Sequence, residues 1–156
     1  MRRTDREITD REKINKIIEA CHCCRLGFCD EGKVYIVPLN FGYEDEGSRR
    51  VFYFHGAMEG RKIDLIQRTH CAGFELDTNY QLQEADMACG YSAKYQSVIG
   101  TGRVDLIEDP EAKKQALLCI MRHQSGREDW TFSEASLDKV AVFQLEVEEI
   151  SCKERK

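Results

Sequence analysis

Apolar residues recur at intervals of three and four positions in three segments of the chain, a spacing that is typical of amphipathic helices. These segments lie at residues 9–21, 61–66 and 110–122. Thr9 and Glu12 form a capping-box pattern at the start of the first segment. The pattern therefore predicts three helices, the first of them capped by Thr9.

Six other segments are short apolar runs or carry apolar residues at alternate positions, and both patterns are typical of strands. The acidic turn at residues 30–33 contains a glycine and predicts a hairpin between the first two strands. Pro38 marks the second strand as an edge or a bulge, and Gly100 and Gly102 predict a bend or bulge in the fifth. The predicted strands lie at residues 24–29, 34–41, 51–55, 71–76, 95–107 and 140–150.

The order of these elements indicates a mainly β fold with peripheral helices. Six strands and three helices show no strand–helix–strand alternation and no repeat, which favours an antiparallel barrel with helices at its rim. A chain of 156 residues corresponds to one domain and can build its own core without metal or disulfides. We therefore predict a single domain over residues 1–156, with a helix at about 9–21 and a barrel at about 23–150.

Charge and hydropathy exclude several classes of function. The chain has 28 acidic and 23 basic residues and a net charge of −5, which argues against broad, non-specific nucleic-acid binding. No apolar run reaches the roughly 18 residues that a membrane-spanning helix needs. The charged start of the chain is followed by no apolar signal core, so secretion is not expected. These features predict a cytoplasmic protein that binds neither nucleic acid nor membranes.

Eight cysteines are present, and four of them are close in sequence: Cys21, Cys23, Cys24 and Cys29. Free thiols are expected in a cytoplasmic protein. Zinc sites usually combine two separated pairs of ligands, whereas these residues form one crowded stretch. The sequence therefore predicts small buried hydrophobic residues and no metal site. A thiol-based redox role or a zinc role for this cluster stays open as an alternative.

The most informative local feature is the stretch at residues 53–62. A strand ends there, Gly56 and Gly60 allow a close backbone approach, and Arg61 and Lys62 stand where a helix begins. Free backbone N–H groups and the helix dipole favour an anion at such a position. An arginine clamps a phosphate with two hydrogen bonds, and the lysine adds a second charge. A phosphate site is one reading, and a solvated pair of cations is the other.

A second polar feature lies at residues 93–102. Gln96 and Ser97 precede an apolar strand and could hydrogen-bond a ligand, or they could simply form an exposed strand entry. The sequence contains no glycine-rich dinucleotide motif, no phosphate-binding loop and no serine nucleophile elbow. The four histidines lack metal-ligand spacing. Catalysis by side chains alone has little support.

Three segments, in this order, carry a resemblance to a known family. They are residues 37–41, 54–62 and 95–102, and the ending at 147–154 is also similar, with Cys152 where glycine is common. Together they resemble the pyridoxamine 5′-phosphate oxidase-like FMN-binding split barrels. Within that group the chain looks most like the branch of nitroimidazole-resistance (Nim-type) proteins. The resemblance extends from the first helix to the last strand.

The resemblance implies a six-stranded antiparallel Greek-key split β-barrel that forms a homodimer with two flavins at the subunit interface. Arg61 and Lys62 would hold the phosphate of FMN, and Trp130 would cover the flavin. His55 would face the flavin or the substrate in a catalytic role, or else bond to the backbone at its strand end. The other residues implied to line the flavin, largely through backbone groups and in part from the partner subunit, are Pro38, Leu39, Asn40, Phe41, Phe54, Gly56, Ala57, Tyr95, Gln96, Ser97 and Val98.

The function that the resemblance implies is an FMN-dependent oxidoreductase that reduces a small planar substrate, such as a nitroimidazole-type compound. FAD in place of FMN stays open. Oxidation of vitamin B6 is not expected, because residues 151–156 lack the Arg- and His-containing segment with which pyridoxamine phosphate oxidases grip their substrate. The alternative is a non-catalytic module that binds flavin or haem, with His55 or His22 as an axial ligand.

Overall fold

The computed structural model describes residues 4–156 as four α-helices, eight β-strands and two short 3₁₀ turns. The helices are α1 (Arg11–Glu19), α2 (Arg61–Thr69), α3 (Pro110–Ser125) and α4 (Glu134–Leu137). The strands are β1 (Glu7–Ile8), β2 (Cys24–Asp30), β3 (Lys33–Leu39), β4 (Gly42–Asp45), β5 (Arg50–Gly56), β6 (Cys71–Gln83), β7 (Ser92–Leu106) and β8 (Ala141–Arg155).

Asp10, not Thr9, caps the first helix. Its carboxylate accepts a hydrogen bond of 2.7 Å from the backbone N–H of Lys13 and satisfies one of the free donors of the first turn. The predicted helix is present, but the predicted Thr9 cap is wrong because Asp10 has the extended backbone that an N-cap needs. The buried face of α1 consists of Ile14, Ile17 and Ile18.

The third helix starts and ends on signals that are visible in the sequence. Asp109 accepts a hydrogen bond of 2.8 Å from Ala112 N, and Pro110 occupies the first turn, where its missing N–H costs nothing. Gly126 ends the helix in the left-handed conformation, with a φ of 69°. None of the helices in residues 4–156 is long and apolar enough to cross a membrane.

All strand pairs are antiparallel, and the sheet order is β3-β2-β6-β7-β8-β5-β4, with β1 beside β8. The six predicted strands are present, and β1 and β4 are additional. The strand β4 forms because residues 42–45 pair with residues 50–53 of β5. Within residues 4–156 no ladder joins β3 to β4, so hydrogen bonds do not close the barrel. Pro38 lies on the edge strand β3, as predicted.

Two strands continue well beyond their predicted C-terminal ends. The strand β6 continues from residue 76 to residue 83, and its end pairs with Ser92–Lys94 of β7 after a register shift between Thr78 and Gln81. The strand β8 continues from residue 150 to Arg155, and the short helix α4 lies between α3 and β8. The β6–β7 extension exposes four large apolar side chains, Tyr80, Leu82, Met87 and Tyr91.

The core lies inside the curled sheet and is rich in phenylalanine. The ring of Phe52 is 4.9 Å from Tyr43, 5.0 Å from Phe74 and 5.6 Å from Phe41, measured between centroids. A second, smaller cluster covers the outside of the sheet, where α3 and α4 pack on Val142. The residues of this second cluster are Ala116, Leu117, Ile120, Leu137 and Val142.

The predicted irregularity in the fifth predicted strand is confirmed. In the pairing of β7 with β8 the register shifts between Thr101 and Gly102. A Cβ atom on Gly100 would lie 2.1 Å from the backbone oxygen of Glu149, and one on Gly102 would lie 2.2 Å from that of Glu146. The two strands approach closely here because both positions lack a side chain.

The cysteine cluster is dispersed between the core and the surface. All eight thiols are free; Cys21 and Cys24 are buried, whereas Cys29 is exposed. Burial raises the pKa of Cys21 to about 12 and also raises the pKa of Cys24, so neither is a reactive thiolate at neutral pH. Among residues 4–156, no group of three or more His, Cys, Asp and Glu side chains is placed to hold a metal ion.

A carboxylate in β4 fastens the first helix to the sheet. Asp45 accepts hydrogen bonds of 2.7 Å from Arg11 Nε, 2.7 Å from Asn15 Nδ2 and 3.0 Å from Gly47 N. These donors, Arg11 first, hold the pKa of Asp45 well below its usual range. Asp45→Asn is expected to lower the free energy of unfolding at pH 7 by about 1–2 kcal/mol.

The destabilisation caused by Asp45→Asn should become smaller as the pH falls. Because the pKa is lower in the folded state, the stabilisation is complete above the pKa of the unfolded chain, about 4, and is lost as the pH falls through the folded value. Urea unfolding at pH 7 and pH 3 measures this, with the exposed Asp86→Asn as the control. An equal difference between wild type and Asp45→Asn at both pH values would contradict the assignment.

Candidate functional site

The N-terminus of α2 is open toward the end of β5. Its cap residue is Gly60, which has a φ of 124° and no side chain to bond the first-turn N–H groups. The carbonyl oxygen of Gly60 accepts the N–H of Ile63 at 2.9 Å. The earlier N–H groups of the helix have no intrahelical acceptor, and the helix dipole makes this end positive. An anion is therefore favoured at this place.

The Lys62 side chain reaches from α2 to the end of β5. Its ammonium lies 5.9 Å from the centroid of the Phe143 ring, and a Cβ atom on Gly56 would lie 2.6 Å from Lys62 Nζ. Within residues 4–156, Lys62 has no hydrogen bond and no ion pair. Desolvation by the surrounding protein lowers its pKa. A partly buried cation without a counter-ion is costly, so an anion at this place would stabilise the lysine.

His55 lies beside this cation. It is in β5, opposite Val142 of β8, with its side chain on the exposed face. Desolvation, followed by the charge of Lys62, lowers the pKa of His55. The imidazole is therefore neutral at pH 7, when one ring nitrogen donates a hydrogen bond and the other accepts one. Within residues 4–156 the imidazole ring of His55 has no hydrogen-bond partner, although its main chain belongs to the β5–β8 ladder.

Arg61 points away from Lys62, toward the β2–β3 hairpin. Its Nε and Nη2 donate to one oxygen of Asp30 at 3.1 and 3.0 Å, and its guanidinium carbon lies 4.6 Å from the centroid of the Tyr35 ring. Arg68, at the end of α2, donates to the other oxygen of Asp30. The two guanidinium groups, Arg61 first, lower the pKa of Asp30. The two predicted phosphate ligands thus start from one turn of helix but have different surroundings.

The predicted segment at residues 38–41 combines two exposed side chains with two that pack inward. Pro38 and Asn40 are exposed, Leu39 packs against the core, and Phe41 is completely buried. The carbonyl oxygen of Phe41 accepts a hydrogen bond of 3.1 Å from Gln124.

The segment at residues 54–57 likewise contains both buried and exposed side chains. Phe54 is completely buried, and its ring centroid lies 5.3 Å from that of Phe143, whereas Ala57 is exposed. Any contact of Phe54 with a ligand would come from its backbone.

The four predicted residues of β7 lie beside the end of β8. Tyr95, Gln96, Ser97 and Val98 pair with residues 152–155. Val98 is completely buried, so by strand alternation Gln96 shares its inner face, and Tyr95 and Ser97 share the outer one. The outer pair is therefore the one free to meet a ligand or a second chain.

A polar network occupies the inner side of this strand end. Gln96 donates to Glu154 at 2.7 Å and accepts from Asn79 at 2.6 Å, and Glu154 also accepts from Lys13 at 2.6 Å. These donors, Lys13 first, lower the pKa of Glu154. The side chain of Gln96 is thus already engaged within the chain.

The predicted residues form two groups at opposite ends of β7. The helix-end group, His55, Gly56, Arg61 and Lys62, lies where Leu106 of β7 meets Phe143 of β8, while the strand-end group, Tyr95–Val98, lies at the other end. The span from Val98 to Leu106 is about 25 Å of strand. One chain does not bring the two groups into a single site.

Trp130 lies apart from both groups. Its indole N–H donates to Ser125 Oγ at 3.4 Å, and Arg127 covers its ring at 4.6 Å. It is partly buried in the segment between α3 and α4. In this structure its neighbours come from the end of α3.

Asp30, Tyr35 and Arg68 are the residues around this site that the sequence did not reveal. Arg68 follows Arg61 by two helical turns, so their shared face could have been read from the spacing. The approach of Asp30 and Tyr35 depends on how the hairpin packs on α2, and no local pattern encodes it.

A family model matches nearly the whole chain. The model described as pyridoxamine 5′-phosphate oxidase covers residues 10–154. Among proteins with curated functions, none matches.

Solved structures share the fold along the full chain. A candidate 5-nitroimidazole antibiotic resistance protein from Bacteroides thetaiotaomicron is 33% identical, with a TM-score of 0.82, over 94% of this chain and 85% of that one. A flavocytochrome from Azotobacter vinelandii is 23% identical, with a TM-score of 0.82, over 100% and 72%. An FAD- and haem-binding protein from Mycobacterium smegmatis is 15% identical, with a TM-score of 0.84, over 97% and 74%. The predicted antiparallel split-barrel fold is confirmed.

Proposed function

Because the chain belongs to the pyridoxamine 5′-phosphate oxidase family, we propose that it is an FMN-binding oxidoreductase that reduces a small planar substrate. A bound flavin supplies the electron-transfer chemistry, and the protein supplies binding, orientation and electrostatics. FAD contains the same flavin and ribityl chain, and it is the other cofactor that these residues would accept.

The observation that carries this proposal is the cation of Lys62, which has no counter-ion among residues 4–156. It lies at the open N-terminus of α2, next to Arg61, whose Nη1 has no hydrogen-bond acceptor in the same described part of the chain. A phosphate group would give the lysine its missing counter-ion and would accept the free N–H groups of the helix. The residues present therefore fit the phosphorylated end of a flavin.

His55 is proposed to contact the flavin or the substrate. It precedes Gly56, over which the Lys62 ammonium lies, so a ligand held by Lys62 would extend along the end of β5. The lowered pKa keeps the imidazole neutral at pH 7, able to accept a proton at one ring nitrogen and to donate from the other. This is the one side chain of the helix-end group that is suited to move a proton.

A homodimer is proposed because the two groups of residues cannot meet within one chain. In a two-fold dimer the strand-end group of one subunit can face the helix-end group of the other. The outer positions Tyr95 and Ser97 continue into the exposed Ile99, which is 48% accessible. That apolar face supports contact with a second copy.

Complementation between two inactive variants tests the shared site. Arg61→Gln/Lys62→Gln removes the helix-end cations, and Tyr95→Ala/Ser97→Ala removes the outer strand-end side chains. Each variant alone is expected to bind little FMN. An equal mixture, unfolded and refolded together, should regain about a quarter of the wild-type sites, because random pairing gives each mixed dimer one intact site.

The outcome separates a shared site from a site within one chain. Mixing the two proteins without refolding is the control, and it should give no recovery while dimers stay intact. If the refolded mixture recovers no flavin binding although both variants form dimers, the interface site is contradicted. Binding is measured by the visible absorbance that remains with the protein after gel filtration.

A nitroimidazole-type compound is the proposed substrate class, supported by the 33% identical structure described as a candidate resistance protein for such compounds. Anaerobic loss of nitroimidazole absorbance with a chemically reduced flavin would support reduction. The alternative is a non-catalytic flavin- or haem-binding module, for which the neutral, unbonded His55 is a suitable ligand. A Soret band on adding haem that His55→Ala abolishes, without turnover, would favour that alternative.

A further inference from the structure

Asp30 ties together the two arginines of α2. It lies at the end of β2, and its side chain is 20% exposed, compared with 52% for Arg61 and 55% for Arg68. Arg61 donates to one carboxylate oxygen at 3.0 and 3.1 Å, and Arg68 donates to the other. One carboxylate is thus shared by two guanidinium groups that lie two turns apart on the same helix face.

This arrangement directs Arg61 away from the helix N-terminus. The guanidinium edge formed by Nε and Nη2, which would grip a phosphate through two hydrogen bonds, is occupied by Asp30. The Tyr35 ring supports the guanidinium at 4.6 Å and holds it over the β2–β3 hairpin. A phosphate at the first turn of α2 would therefore have to take Arg61 from Asp30.

Such an exchange leaves no carboxylate unpaired. When Arg61 moves, Arg68 still donates to Asp30, so the charge of Asp30 remains compensated. Ion pairs between half-exposed side chains contribute little, so releasing Arg61 is not expensive. A phosphate dianion next to Lys62 offers Arg61 more charge than a carboxylate that already serves Arg68.

We propose that Asp30 is a substitute anion that holds Arg61 until the phosphate of the cofactor replaces it, and that it thereby sets the affinity for phosphorylated flavins. This inference rests on the proposed FMN site. Asp30 is a positioning residue in this scheme, since it acts on the cofactor only through Arg61. Riboflavin, which lacks the phosphate, gains nothing from the exchange and should be insensitive to Asp30.

The test compares the dissociation constants of FMN and riboflavin, measured by quenching of flavin fluorescence. Asp30→Asn is expected to tighten FMN binding by about three- to fivefold, because Arg61 no longer has to leave an anionic partner. Arg68→Gln should weaken FMN binding by a similar factor of about three to five, because Asp30 then depends on Arg61 alone. Neither change should alter riboflavin binding by more than about twofold.

Asp64→Asn is the matched control. Asp64 lies in the first turn of the same helix, is exposed, and forms no ion pair with residues 4–156. This change removes the same charge without releasing Arg61, so its effect on FMN should be much smaller than that of Asp30→Asn. Equal effects of both variants, or weaker FMN binding by Asp30→Asn, would overturn the inference. If the wild type binds riboflavin and FMN equally or binds neither, the proposed phosphate site itself fails, and the inference fails with it.

Discussion

Replacing Arg61 and Lys62 together by glutamine is expected to weaken FMN binding by about 100-fold or more, with little change in riboflavin binding. Each cation is expected to contribute about 1.5–3 kcal/mol through charged hydrogen bonds to the phosphate. Lys62 should contribute strongly because it has no other counter-ion within residues 4–156. Flavin fluorescence titrations with FMN and with riboflavin measure the two affinities separately.

The control for this prediction removes the same number of charges elsewhere. Lys16 and Lys139 are exposed, and neither side chain has an ion pair with residues 4–156. Lys16→Gln/Lys139→Gln should therefore leave both affinities within about twofold of wild type. A loss of FMN affinity in the control as large as that in Arg61→Gln/Lys62→Gln would show that net charge, and not a local site, attracts the cofactor.

The second large effect concerns β7, the strand at whose opposite ends the two groups of the proposed site lie. Gly100→Ala is expected to lower the free energy of unfolding by about 3 kcal/mol. A Cβ atom there would lie 2.1 Å from the backbone oxygen of Glu149 and 2.5 Å from the ring of Phe74. Since the obstacle includes backbone of the paired strand β8, the ladder must shift to make room. Urea unfolding followed by circular dichroism measures the loss.

Gly27→Ala is the matched control for the glycine. Gly27 also lies within a paired strand, but the nearest atom to its added Cβ is a backbone oxygen at 4.0 Å. This change should cost no more than about 0.5 kcal/mol. Equal stability of the two variants would contradict the close approach of β7 and β8 at Gly100.

The strands with apolar alternation were predictable because each buries one face in the barrel. Leu26 and Phe28 of β2 alternate with exposed or partly exposed neighbours, and Phe54 of β5 lies between the partly exposed Tyr53 and the exposed His55. All three are completely or nearly completely buried. The extension of β6 to residue 83 was not predictable in this way. Its residues are polar or exposed, and they form a strand because β7 continues beside them.

The two halves of the site differ in how far the sequence could locate them. Arg61 and Lys62 are adjacent at a helix start, so local pattern was enough to single them out. Their partners Asp30 and Tyr35 come from another hairpin, and only the packing of α2 against that hairpin brings them close. The separation of Tyr95 from Lys62 along β7 depends on strand register, which a linear sequence does not display.

Some of the residues that the resemblance assigned to the flavin site lie in the core. Phe54 and Val98 point inward from their strands, and Phe41 lies immediately before β4; all three are completely buried. Their side chains stabilise the barrel, and only their main-chain groups are available at its edge. The resemblance to a flavin-binding family identified the segments, whereas the structure separates side chains of the core from those that could reach a ligand.

The most direct test of the account is the visible absorption spectrum of the purified protein after incubation with FMN and gel filtration, with mass spectrometry of the small molecule that it releases. The account predicts the bands of an oxidised flavin with the protein, about one FMN per chain, and release of intact FMN on denaturation. A protein that stays colourless after incubation with FMN and with FAD would contradict the flavin-binding proposal and leave a split barrel whose ligand is something else.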